Sequence, residues 1–79
     1  MRTDICARED VEAQTALLEA LGSVGAAPED DLPDVPLPTG LLRFRAGHEV
    51  LTVFTDAWGV DLEGPDALVK RVMTEMSVP

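Results

Sequence analysis

The run LLRFRAGHEVLTVFTD, residues 41–56, constrains the fold more than any other part of the chain. Two segments rich in aliphatic and β-branched residues flank Gly47 and His48, and glycine in the first of two loop positions suits a tight reversal between antiparallel strands. Closing the turn there sets Phe44 opposite Leu51 and Leu42 opposite Val53 on one face. The other face takes Arg45 opposite Val50, Arg43 opposite Thr52 and Leu41 opposite Phe54. The first face is predicted core. The second mixes arginine with apolar groups that call for a cover, either the first helix or another copy of the chain.

After the hairpin, Asp56 through Gly59 has aspartate first and glycine last, the pattern of a type I turn, and residues 60–63 fit a short third strand. Gly64 and Pro65 introduce a final helix whose apolar stripe is Leu68, Val69, Val72, Met73 and Met76. Upstream, residues 7–21 place Val11, Gln14, Leu17, Leu18 and Leu21 at helical spacing, with Gln14 interrupting the stripe. That helix is predicted to start as early as Asp4 and to end with Gly22 in a left-handed conformation.

Residues 22–40, GSVGAAPEDDLPDVPLPTG, hold four prolines and four acids with no base. Proline removes backbone donors and disfavours helix in the residue before it, so this tract is predicted to be an extended, acidic loop. Leu32, Val35 and Leu37 can pin it to the rest. The expected fold class is therefore α+β: N-terminal helix, long acidic proline-rich loop, three-stranded antiparallel meander, C-terminal helix, all in one small domain over residues 1–79. A sheet of three strands is narrow, which leaves the first helix to pack on its other face or on a partner subunit.

A chain of 79 residues buries only about 60% of its unfolded surface, and small domains often rely on a staple. Cys6 is the single cysteine and His48 the single histidine, so an internal disulfide and a four-ligand zinc site are both excluded. Oligomerisation is the remaining usual device. No metal and no cofactor is expected.

The net charge of −9 argues against binding a nucleic-acid backbone directly. No apolar run approaches the ~20 residues that span a bilayer, and the charged opening MRTDICARED does not suit a signal peptide, so a cytoplasmic location is expected. The excess of arginine over lysine suggests a GC-rich bacterial or phage origin.

Candidate chemistry is sparse. His48 falls in a turn away from any identifiable nucleophile, and Cys6 has Arg2 and Arg8 near it in sequence but no second cysteine or flanking histidine. Asp56, Asp61 and Glu63 lack the spacing of a calcium loop and read as a solvated face. No catalytic residue is assigned, and no enzyme is expected.

The sequence is therefore read as a small acidic protein–protein interaction module, an adaptor, chaperone-like protein or inhibitor that binds or occludes a partner, as a homodimer. Its predicted interface is Leu41, Arg43, Arg45, Val50, Thr52, Phe54 and Trp58, with Glu29, Asp30, Asp31 and Asp34 steering a basic partner protein. The order of helix, meander and helix in a short acidic chain resembles, at the level of fold order alone, the small acidic dimers of secretion-type chaperones. An inhibitor of phage or mobile-element type, or a DNA mimic aimed at a nucleic-acid enzyme, is the alternative suggested by charge. A regulatory domain for a small ligand is the third.

Overall fold

Residues 1–77 are described by the computed structural model, in which a five-stranded antiparallel sheet carries two helices on one of its faces. In chain order the elements are β1 (Arg2–Ala7), α1 (Val11–Ser23), β2 (Ala27–Pro28), β3 (Gly40–Ala46), β4 (Glu49–Thr55), β5 (Gly59–Glu63) and α2 (Asp66–Ser77). The strands lie in the order β1-β5-β4-β3-β2. The class is α+β as expected, but the order is β-α-β-β-β-β-α rather than α-β-β-β-α. The fold order behind the resemblance to secretion-type chaperones is thus not the one observed.

The hairpin forms with the expected register: Phe44 faces Leu51, Leu42 faces Val53 and Leu41 faces Phe54. Gly47 makes the reversal with φ +63°, a left-handed value that glycine adopts without a Cβ clash. β5 continues the meander, pairing Val60 with Thr55 and Leu62 with Val53. Phe44, Leu51, Val53, Val60 and Leu62 all point to one face and are buried. Burying each such side chain contributes about 1.5–3 kcal/mol.

The chain start departs from expectation. Residues 2–7 form a strand, not the first turn of a helix, and β1 pairs with β5 through Arg2–Glu63, Thr3–Leu62 and Asp4–Asp61. A bulge between Asp4 and Cys6 then shifts the register to Cys6–Val60. Gly59 is required at this junction: a Cβ on it would lie 2.7 Å from the Cys6 carbonyl oxygen. The helix starts later, at Val11, just after the acids Glu9 and Asp10. Asp10 caps α1, its Oδ1 accepting from the Ala13 amide at 3.0 Å.

α1 also ends later than predicted. Gly22 is helical, and the left-handed residue is Gly25, φ +81°. The Ala26 amide donates to the Leu21 carbonyl at 2.9 Å and the Gly25 amide to the Gly22 carbonyl at 3.0 Å, the pair of bonds that closes a Schellman motif. The buried face of α1 is Gln14, Leu17, Ala20 and Leu21, while Val11 is exposed.

Both helices lie over the same sheet face. Leu17 and Leu21 join Leu68, Val69 and Val72 of α2 and the inward sheet residues in one core, so α1 neither covers the opposite face nor waits for a partner subunit. Two further strands widen the sheet enough for both helices. The acidic loop is also partly built in. Ala27 and Pro28 pair with Arg45 and Phe44, and Leu37 is buried in the core, whereas Leu32 is exposed.

Gln14, which breaks the apolar stripe, is fully buried and fully used. Its Nε2 donates to the Arg8 carbonyl at 2.7 Å, and its Oε1 accepts from the Leu37 amide at 2.8 Å. One side chain thereby ties the turn before α1 and the far end of the acidic loop to the helix. Such a buried carboxamide is tolerated because both of its ends are satisfied.

Candidate functional site

With both helices on one side, the other sheet face is left without a covering element among the described residues. The strand registers arrange its side chains in levels. One level runs Arg2, Glu63, Thr52, Arg43 across β1, β5, β4 and β3; the next runs Asp4, Asp61, Phe54, Leu41. A third holds Val50 and Arg45, with Ala27 beyond. The predicted residues Leu41, Arg43, Arg45, Val50, Thr52 and Phe54 therefore share one face. β4 supplies its least polar line, and charge is sorted to either side.

Leu41 is half exposed, and Val50, Thr52 and Phe54 are partly covered. Part of the cover on Phe54 is Arg2, whose guanidinium carbon lies 4.2 Å from the ring centroid. The same guanidinium donates from Nε to Asp61 Oδ2 at 3.0 Å. A stacked cation of this kind adds about 0.5–1 kcal/mol at an exposed site. Arg2 and Asp4 were not among the predicted site residues. The sequence does not signal them: Arg2, Thr3 and Asp4 are polar in succession, without the period of two that marks a strand.

On the β3 side, Arg45 Nη2 donates to Glu29 Oε2 at 2.9 Å, an ion pair between the sheet and the acidic loop. The Glu29 amide donates to the Arg43 carbonyl at 3.0 Å and fixes this residue against β3. Arg43 itself has no carboxylate within ion-pair distance among the described residues. Beside it, Glu29, Asp30, Asp31, Pro33 and Leu41 line a cavity of about 190 Å³. Asp30, Asp31 and Asp34 are exposed.

Trp58 is 89% exposed at the tip of the β4–β5 turn, not folded back on the core. Asp56 organises that turn: its Oδ1 accepts from the Trp58 amide at 2.8 Å and the Gly59 amide at 3.0 Å. These donors, Trp58 first, hold the Asp56 carboxyl below its ordinary range. Asp61 and Glu63 lie on the open face and Asp56 in the turn, so the three carboxylates do not converge.

His48 is exposed in the Gly47 turn, at the opposite end of β4 from Asp56. Cys6 is half-buried in β1, where burial, then the charges of Asp10 and Asp4, push the thiol upward. The nearby arginines of the sequence therefore do not activate it. On the helical side, a groove of about 390 Å³ runs between α1 and α2, with Ala16, Ala20 and Met76 in it and Glu12, Glu19 and Glu75 along it.

No protein-family model, curated protein or solved structure matches this chain.

Proposed function

We propose that this chain is a small acidic protein–protein interaction module that works as a homodimer through its open sheet face and binds or occludes a basic partner protein. The observation that carries this is the placement of both helices on one side of the sheet, which leaves Leu41, Val50, Thr52 and Phe54 together on the other. A continuous face with apolar residues at its middle and charges around it has the layout of an interface core and rim. Trp58, nearly bare at the sheet end, adds an aromatic anchor of the type enriched at binding hot spots.

Acidic surface remains on the loop and along the helix groove once this face is covered, and it suits electrostatic steering of a basic partner. Mimicry of a nucleic-acid backbone finds less support. It needs carboxylates held in a fixed array, and among the described residues Glu29 alone of the four loop acids has its side chain held in an ion pair. A non-enzymatic role is supported by the exposed position of His48 at the hairpin turn and by the upward shift of the Cys6 thiol.

Sedimentation equilibrium on the full chain at micromolar to submillimolar concentration tests the interface. The expected result is a dimer that Phe54→Asp converts to a folded monomer. A chain that stays monomeric throughout, with Phe54→Asp making no difference, overturns the proposal.

A further inference from the structure

The geometry points to a particular arrangement of that dimer: a second copy of this chain packed against the open face about a two-fold axis running along β4. This rests on the open face being an interface, and goes further by stating which residues meet.

A two-fold axis parallel to the strands, lying between two stacked sheets, keeps each residue at its level along the strand and exchanges left for right. β5 of one copy then lies over β3 of the other. At the level of Thr52, the β5 neighbour is Glu63 and the β3 neighbour is Arg43. Both lie one strand, about 4.8 Å, from the axis. The operation brings Glu63 of each copy over Arg43 of the other, twice per dimer, with Thr52 on the axis between the two pairs.

At the adjoining levels Phe54 falls on the axis at one, with Asp61 over Leu41 beside it, and Val50 at another, so the least polar strand packs on itself. The charges beside them are already answered within the subunit, Asp61 by Arg2 and Arg45 by Glu29. Arg43 and Glu63 are left without ion-pair partners among the described residues, opposite in sign and equally distant from β4. Asp4 lies two strands out, at the rim.

The alternative two-fold axis in the same plane, running across the strands, lays each strand over its own copy. Depending on its height, that axis puts Asp61 over Glu63, or Glu63 and Arg43 each over its own copy, or Arg43 over Arg45, and in every case like charges face across the contact. Charge sorting thus selects the axis along β4. Aligned sheets cross at about 30°, which displaces a residue one strand from the axis by roughly 2.5 Å, well within the reach of an arginine side chain. The molecule measures 29 × 28 × 20 Å, and its broad section is on the order of the ~800 Å² that each partner buries in a standard interface. Each copy carries −9, but at physiological ionic strength the screening length is about 8 Å, so distant repulsion fades while contact pairs persist.

The test is a charge exchange read by sedimentation equilibrium in physiological salt, with circular dichroism to confirm folding. Arg43→Glu alone and Glu63→Arg alone each place like charges at both contacts and are expected to weaken dimerisation at least about tenfold, a loss on the scale of desolvated charge pairs. The double variant Arg43→Glu/Glu63→Arg, and an equimolar mixture of the two single variants, are expected to restore it. Single variants that dimerise like the wild type, or single losses that neither the double variant nor the mixture recovers, overturn the arrangement. If Phe54→Asp still breaks the dimer in that case, the open face stands as an interface and only the axis is wrong; if it does not, the interface falls too.

Discussion

Gln14 and Leu37, 23 residues apart, meet inside the protein through a 2.8 Å hydrogen bond from the Leu37 amide to the Gln14 carboxamide oxygen. Since the Gln14 amide group also donates to Arg8, Gln14→Leu strips two backbone groups of their partner at once. Each orphaned group costs about 1–3 kcal/mol, against a total stability of roughly 4–12 kcal/mol at this length. Chemical denaturation should show a loss of about 2–6 kcal/mol. Gln14→Glu should also destabilise at neutral pH, because a carboxylate can accept from Leu37 but cannot donate to Arg8.

Thr55 presents the reverse case. It is buried between Gly40 and Val60, and its hydroxyl has no hydrogen-bond partner among the described residues. Thr55→Val keeps the shape and removes the unpaired group, so it should stabilise the fold by on the order of 1 kcal/mol in the same measurement.

Three glycine-to-alanine changes should differ in sign. Gly22 is helical with open space around its Cβ position, and Gly22→Ala should stabilise by about 0.5–1 kcal/mol. Gly25→Ala forces a Cβ into φ +81° and should cost about 1–2 kcal/mol. Gly59→Ala drives a methyl to 2.7 Å from the Cys6 backbone and should cost about 1–3 kcal/mol. Thermal unfolding of the three variants ranks them.

The Asp56 turn gives a stability that depends on acid. Its carboxyl is lowered in the folded state by the Trp58 and Gly59 amides, so the contribution is complete above the unfolded carboxylate value of about 3.9. It is lost as pH falls through the lower folded value. Asp56→Ala should therefore lower the urea midpoint at neutral pH, and the gap to wild type should close in strong acid. Asp56→Asn, which keeps an acceptor oxygen without titrating, should retain part of the stability.

Cys6 should be a slow nucleophile. Burial and two acidic neighbours raise its pKa, which depletes the thiolate at neutral pH. Alkylation by iodoacetamide, followed by mass spectrometry, should run more slowly in the folded chain than in urea.

The hairpin and its register were legible because a period of two, a glycine reversal and β-branched residues all agree in residues 41–55. The mixed face was legible for the same reason. β1 was not, because RTDICA runs three polar residues into three apolar ones with no period of two, and the acids that follow imitate an earlier helix start, when Asp10 is the cap. The side on which α1 packs was equally hidden: an amphipathic stripe states that a face is buried but not against what. Gln14 looked like a flaw because both its partners are backbone groups, one of them beyond the acidic loop.

The sheet's outermost ribbon on the β1 side also has an order-of-synthesis consequence. Arg2 and Asp61 are 59 positions apart, yet among the described residues β1 has no strand neighbour other than β5. Residues 2–7 leave the ribosome early and must stay unzipped until residues 59–63 arrive, while β3 and β4 can already have joined through their short reversal. A translational pause before Glu63 would hold a nascent chain whose first ribbon has nowhere to seat.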